Sequence, residues 1–152
     1  TVSFGEPNEE LQRAFDTVYE MQMTAFRLLS EPGHTADEID AAARELCRAR
    51  GYSARVDTIG LPSPPPDSRD DELEKNGRFY HGLGHSIGLE VHEYPFMQYT
   101  TQEPLVPNMV LTPEPSLIKP GAFACRIEDN ILITEQGAEW LEQYPRHLII
   151  IE

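Results

Sequence analysis

The feature that most constrains the fold is a helical repeat of apolar residues near the start of the chain. Apolar side chains recur every three or four residues across residues 11–29, and Pro32-Gly33 ends the repeat. Asn8 is suited to begin this helix, because its side-chain oxygen can accept a backbone N–H of the first turn. The spacing predicts one long amphipathic helix, whose apolar side needs a sheet or another helix to cover it.

A second predicted helix follows, and strand patterns come after it. Thr35 and Glu38 form a capping-box pattern before this helix, and Gly51 ends it. The predicted strands are Thr1–Phe4, Ile87–Val91, Met109–Thr112, Phe123–Ile127, Ile131–Thr134 and Leu148–Ile151, and residues 135–144 are predicted to add a short helix. Helices followed by strands favour an α+β fold over alternating α/β.

Residues 57–77 interrupt these patterns. The segment DTIGLPSPPPDSRDDELEKNG is rich in proline and charge and shows no periodicity, which predicts a long surface loop with solvated acidic side chains. A length of 152 residues is that of one ordinary domain. We therefore expect a single domain over 1–152, with 57–77 as a loop insertion.

Charge and cysteine content limit the partners. A formal net charge of −14 opposes binding to nucleic acid or to an anionic membrane surface, and no apolar stretch is long enough for a membrane span. Cys47 and Cys125 do not form a close pair, so we expect two free thiols in a reducing cytoplasm rather than a zinc clip. Small molecules or metal cations are the expected ligands.

The segment HGLGHSIGLEVHE holds three of the five histidines, His81, His85 and His92. A single histidine is most often a core or surface residue, but three among glycines favour a functional site. Residues two apart in a strand share a face, so His81 and His85 can point the same way while the glycines admit a close backbone approach. Imidazole is a common ligand of transition metals.

Two carboxylates in apolar surroundings complete the pattern. Glu114 lies between two prolines after a predicted strand, and Glu128 lies in a strand pattern two residues beyond Arg126. Buried carboxylates need a partner, which can be a cation. A same-face ion pair of Arg126 with Glu128 is the alternative, but with His85 the two glutamates could hold a divalent metal ion.

HGLGHSIGLEVHE, TPEP and RIED, in this order and with this spacing, resemble the pita-bread metallopeptidases. These comprise X-prolyl aminopeptidase, prolidase and, more distantly, methionine aminopeptidase. The resemblance extends over nearly the whole chain and is strongest to the proline-directed members. It implies an α+β pita-bread fold that is incomplete at its N-terminal side.

The resemblance also implies a metal centre. It makes His85 a metal ligand, Glu114 a ligand that also moves a proton, and Glu128 a carboxylate that bridges two divalent ions. Manganese or cobalt is expected, with zinc or iron as alternatives. The implied reaction is hydrolysis by water that the metal ions acidify.

Three further residues match catalytic positions of the family. His81 and His92 match histidines that contact substrate, with His92 donating to the developing oxyanion, and Arg126 matches an arginine behind the metal ligands. The implied substrate is a peptide with proline next to the scissile bond. A homodimer is a family expectation.

Two aspartate ligands of the family have no counterpart here, since they are expected just before a segment that resembles Thr1–Gly5. We expect the chain to be the C-terminal part of a longer enzyme and to have little or no peptidase activity alone. The alternatives are a truncated protein that binds one metal weakly or none, and a protein completed by another chain.

Two other functions are compatible with this fold. One is a non-catalytic pita-bread binding module, and the other is a creatinase-like, metal-free hydrolase. Neither has a chemical reason to keep His85, Glu114 and Glu128 together. An X-prolyl aminopeptidase or prolidase is therefore the leading hypothesis.

Overall fold

The structure is a computed structural model that describes residues 1–56 and 66–152. Within these ranges the helices are α1 (Glu9–Leu29), α2 (Ala36–Ala49) and α3 (Arg69–Leu73), and a 3₁₀ turn, Glu74–Asn76, follows α3. Both long helices are the ones that the sequence predicts. Asn8 caps α1 as expected, since its Oδ1 accepts the backbone N–H of Leu11 at 2.8 Å.

Nine strands in the described ranges form three sheets. They are β1 (Val2–Phe4), β2 (Gly84–Ser86), β3 (Glu93–Met97), β4 (Val110–Pro113), β5 (Ser116–Lys119), β6 (Phe123–Arg126), β7 (Ile131–Thr134), β8 (Gly137–Trp140) and β9 (Ile149–Ile151). The largest sheet has the order β3-β2-β4-β7-β8, with all neighbours antiparallel. Strands β5 and β6 pair antiparallel, and β1 pairs with β9 in parallel. This arrangement confirms the α+β class.

The core lies between the two long helices and the sheets. Helix α1 packs against α2 and against strands β5, β6 and β8, and α2 also reaches β3. The buried residues of α1 recur at helical spacing, for example Ala14, Val18, Met21 and Ala25. Fully burying a side chain such as Val18 or Met21 contributes about 1.5–3 kcal/mol, so this packing fixes the two helices against the sheets.

Two predicted elements are wrong. Ile87–Val91 is a turn rather than a strand, because Leu89 and Val91 alternate with polar residues but are exposed to solvent. The histidine strand instead ends at Ser86, and β3 begins at Glu93. The helix predicted over 135–144 is replaced by β8, which forms a two-residue hairpin with β7 in which Thr134 pairs with Gly137.

The predicted loop 57–77 falls partly outside the described residues, since 57–65 are not among them. Residues 69–76 are helical, not a loop without periodicity. Asp70 in this part is buried, contrary to the prediction of solvated acidic side chains, because it accepts hydrogen bonds from Arg48 and from the backbone N–H of Ala54. The description of the segment as an insertion stays a prediction.

Candidate metal centre

His85 occupies the middle of β2, in the interior of the five-stranded sheet. It pairs with Phe96 on one side and Thr112 on the other, and it is 4% exposed. Its Nδ1 lies 3.0 Å from the carbonyl oxygen of Ser86. Because a carbonyl oxygen only accepts, Nδ1 carries a proton. In the neutral ring Nε2 therefore keeps a free lone pair, which is the form that binds a metal.

Glu114 faces this lone pair from the end of β4. Its backbone N–H donates to the carbonyl oxygen of Leu83 at 2.7 Å, which holds it against the histidine segment. One carboxylate oxygen lies 3.8 Å from Nε2 of His85, and the other lies 3.0 Å from Nη1 of Arg126. Burial raises the pKa of Glu114, and the negative charge of Glu128 raises it further. The positive charge of Arg126, with His85 and His92, acts in the opposite direction.

Glu128 completes the group just beyond the end of β6. Ligand atoms of His85, Glu114 and Glu128 all lie within 4.8 Å of one another, and Glu128 is the exposed member. One imidazole and two carboxylates suit a divalent transition metal, and the free Nε2 faces the carboxylates. The donors present therefore fit a divalent metal ion.

His81 lies just before β2 rather than in a strand, and its ring is fixed at both nitrogens. Nδ1 donates to the carbonyl oxygen of Gly82 at 2.7 Å, and Nε2 accepts from the Ser116 hydroxyl at 2.6 Å, with Nη2 of Arg126 at 3.3 Å. Burial, assisted by the positive charge of Arg126, lowers the pKa of His81 to about 4. His81 is therefore neutral at pH 7.

His92 lies in the exposed turn before β3 and reaches back to the centre. Its ring contacts that of His85 edge to face, with 4.4 Å between the ring centroids. The two rings open onto one cleft of about 340 Å³, and the predicted site residues that line it are His81, His85, His92, Glu114 and Arg126. Glu128 lies beside this cleft and lines a neighbouring one with Arg126.

Sequence patterns alone miss several residues of this cleft. Tyr80, Phe96 and Gln98 contribute to its walls, and buried Ser116 orients His81. Ser116 follows the TPEP motif directly, and this proximity to Glu114 is the signal that could have identified it. Phe96 reaches the cleft because it pairs with His85 across β2 and β3, which no local pattern reveals. Tyr80 directly precedes His81, and Gln98 directly follows β3.

No helix in the described part of the chain combines the length and apolar character needed to cross a membrane.

A buried histidine next to two carboxylates on a mixed α/β scaffold offers the donors of a metal-binding site. The model of metallopeptidase family M24 matches residues 1–135. The chain therefore belongs to metallopeptidase family M24, a family whose members use divalent metal ions.

Relatives that match nearly the whole chain include dipeptidases. The chain is 34% identical over 149 residues to the Xaa-Pro dipeptidase of Pyrococcus furiosus, covering 98% of this chain and 36% of that protein. It is 32% identical over 151 residues to the probable dipeptidase PepE of Mycobacterium bovis, covering 99% of this chain and 34% of that protein. The chain thus spans about a third of the length of these curated relatives.

Solved structures show the same fold. The X-Pro aminopeptidase of Thermotoga maritima matches with a TM-score of 0.77 at 34% identity, over 99% of this chain and 36% of that one. The dipeptidase PepE of Mycobacterium ulcerans matches with a TM-score of 0.78 at 30% identity, over 98% of this chain and 34% of that one. The pita-bread fold inferred from the motifs is confirmed.

Proposed function

We propose that this chain supplies part of the active site of a metal-dependent peptidase that cleaves at X-Pro bonds, as an X-prolyl aminopeptidase or prolidase. The observation that carries the proposal is that ligand atoms of His85, Glu114 and Glu128 lie within 4.8 Å of one another. His85 and Glu114 line the cleft that also holds His81, His92 and Arg126, and Glu128 lies beside it. The named activities of the relatives support the substrate class.

His85, Glu114 and Glu128 would hold the metal, for which we propose manganese or cobalt, with zinc and iron as alternatives. The complete enzyme would hold two such ions. A divalent ion bound there supplies Lewis acidity, which polarises a carbonyl and lowers the pKa of water.

Glu114 is the proposed proton carrier. Its pKa is raised by burial, so its carboxylate is a stronger base than an exposed glutamate. It can take a proton from the attacking water and return it to the leaving amine. The 3.0 Å contact with Arg126 fixes one carboxylate oxygen while the other faces His85.

The two remaining histidines are proposed to act on the substrate. Because its Nδ1 proton is committed to Gly82 and its Nε2 to Ser116, His81 offers a neutral, fixed ring to the cleft. His92 is exposed and next to His85, where it can donate to the oxygen that becomes negative during hydrolysis.

We further propose a cytoplasmic homodimer acting on proline-containing peptides. The two cysteines in the described residues are both buried free thiols, which a reducing compartment preserves. The charge of −14 supports neither nucleic acid nor membrane as a partner.

The test compares Glu128→Gln with the unmodified sequence in the protein that contains these 152 residues. We expect the substitution to weaken manganese binding by calorimetry at least tenfold and to lower manganese-dependent cleavage of an Ala-Pro dipeptide, because an amide is a poor ligand for a hard cation. Glu135→Gln, at the exposed β7–β8 turn, is the matched control and should change neither quantity. Equal metal binding by both variants would refute the ligand assignment.

A further inference from the structure

A row of charges on one face of α2 runs beneath the histidine segment. Asp40, Arg44 and Arg48 are spaced four residues apart, which places them on the same side of the helix. Asp40 is 1% exposed and Arg44 is 4% exposed. Burying ions this deeply costs free energy unless their hydrogen bonds are satisfied. The groups that form hydrogen bonds with Asp40 and Arg44 therefore indicate which part of the chain these residues position.

Arg44 and Asp40 form hydrogen bonds with the backbone on both sides of Gly82. Arg44 donates from Nε and Nη2 to the two carboxylate oxygens of Asp40, at 2.8 and 3.0 Å. Its Nη2 also donates to the carbonyl oxygen of His81 at 2.6 Å, and the Oδ1 of Asp40 accepts the backbone N–H of Leu83 at 3.0 Å. One buried ion pair therefore fixes residues 81 and 83 relative to α2.

A second contact anchors the guanidinium itself. Its Nη1 donates to the carbonyl oxygen of Ala54 at 2.9 Å, and the group lies over the Phe79 ring at 4.7 Å from the ring centroid. The guanidinium is thus held on four sides, and a lysine ammonium cannot reproduce this planar set of bonds.

The direction of the His81 ring depends on this backbone. Its Nδ1 donates to the carbonyl oxygen of Gly82, which lies between the two backbone groups bound by Arg44 and Asp40. Its Nε2 contacts the Ser116 hydroxyl and the Arg126 guanidinium. A shift of this backbone relative to Ser116 and Arg126 would change the two contacts of Nε2. The positive charge of Arg44 also helps to keep the ring neutral.

We propose that the Asp40–Arg44 pair of α2 is a positioning device for His81, which holds the ring in the cleft through the backbone of residues 81–83. Arg44 and Asp40 contact the backbone of the segment and act on catalysis through His81. The effect on turnover rests on the proposed function, whereas the effect on the ring does not.

Arg48 provides a matched control one turn further along α2. It pairs with buried Asp70 at 3.1 and 3.0 Å and approaches the carbonyl oxygen of Ala54 at 3.5 Å, and its described bonds do not include His81. Its replacement breaks a comparable ion pair at a comparable place. Any effect specific to the histidine segment should therefore be absent.

The experiment compares Arg44→Lys with Arg48→Lys. We expect both to lower the urea midpoint of unfolding, but only Arg44→Lys to change the ¹⁵N chemical shifts of the His81 ring, read without added metal, away from the Nδ1-protonated tautomer. In the manganese-loaded protein that contains this chain, Arg44→Lys should lower kcat for an X-Pro dipeptide roughly tenfold or more, with a smaller change in KM, because misplacing a catalytic group has effects of this size. Arg48→Lys should keep kcat within about twofold, since no catalytic group is displaced.

The outcomes separate the two proposals. Unchanged His81 signals in Arg44→Lys, or the same change in both variants, would overturn the positioning role. If the unmodified protein does not cleave X-Pro peptides with manganese, the proposed function fails, while the NMR comparison still decides this inference. If Arg44→Lys does not fold, Asp40→Asn, which keeps an acceptor for Leu83, should give a smaller shift of the His81 signals in the same direction, and no shift there would also overturn it.

Discussion

At Gly84 the backbones of β2 and β4 are so close that no side chain fits between them. A Cβ at this position would lie 2.1 Å from the carbonyl oxygen of Thr112 and 2.9 Å from the Cα of Pro113. This contact brings His85, the next residue, alongside Glu114, the residue after Pro113. The glycine-rich spacing of the segment predicts such a close approach, and the structure confirms it for Gly84.

Gly84→Ala is expected to destabilise the protein by about 3 kcal/mol or more, because the obstructing atoms belong to backbone that cannot move freely. Urea unfolding measures the change. Gly82→Ala is the control in the same segment. Its Cβ would lie 3.1 Å from the Cβ of Gln98 and 3.2 Å from the carbonyl oxygen of Met97, and these contacts need shifts of only a few tenths of an ångström. Equal losses in the two variants would contradict the specific role of the β2–β4 contact.

His81 is expected to make stability depend on mild acid. Burial lowers its pKa from 6.5 to about 4, so between these values the unfolded chain binds the proton and the folded chain does not. The contribution of His81 to the free energy of unfolding is fully present above about pH 6.5. It is lost as the pH falls toward 4, and the loss is of the order of 2 kcal/mol.

The measurement is the difference between urea unfolding near pH 7 and near pH 5, without added metal. His81→Gln removes the titrating group and should show a smaller loss over this interval. A loss as large as that of the unmodified protein would assign the acid sensitivity to other groups.

The elements differ in how well sequence predicts them. Helices α1 and α2 follow from periodicity and end signals that lie within a few residues, and β7 matches its predicted bounds. The alternation of apolar residues around Leu89 predicts a strand, but this prediction is wrong. Alternation shows where apolar residues occur and does not show whether another part of the protein buries them. The helix predicted over residues 135–144 is also wrong, because residues 137–140 pair with β7 as a strand.

Strand β8 is expected to depend on Trp140. Its ring stacks on Phe26 of α1 with 4.2 Å between ring centroids, and the guanidinium of Arg146 lies 3.9 Å from the ring centroid. Trp140→Ala should cost about 2 kcal/mol in the free energy of unfolding, less than for a fully buried tryptophan because the ring is partly exposed. Leu141→Ala is the adjacent control: Leu141 is 52% exposed, and its loss should have little effect. The reverse order of the two effects would contradict this packing.

At the scale of the whole molecule, the candidate site combines residues from segments that are distant in sequence. Glu114 and Glu128 reach His85 through the ends of β4 and β6, and these two strands lie in different sheets. Family motifs identified the three together, but distances such as 3.8 Å between His85 and Glu114 depend on tertiary packing. Asp40 and Arg44 lie on helix α2, and none of the sequence motifs at the cleft indicates them.

The two buried thiols are expected to limit stability in alkali. Burial raises the pKa of Cys47 to about 12 and that of Cys125 to about 11, against an ordinary value of 9.0. Above about pH 9 the unfolded chain releases thiol protons that the folded chain retains, so stability falls as the pH rises toward these values. The two thiols together should account for roughly 3 kcal/mol between pH 8 and pH 10.

Urea unfolding across this pH interval tests the expectation. The double variant Cys47→Ala, Cys125→Ala is less stable overall, but its stability should decline less over the interval. An equal decline would show that other groups are responsible.

The parallel pairing of β1 with β9 has a consequence for the order of folding. Residues 2–4 pair with residues 149–151, and the Thr1 hydroxyl donates to the carbonyl oxygen of Arg126 and accepts its backbone N–H, two residues from Glu128. Contacts between such distant parts of a chain carry a large loop-closure entropy and form late. We therefore expect the β1–β9 pairing and the Thr1 contacts beside Glu128 to be among the last to form, after the histidine segment and the long helices have docked.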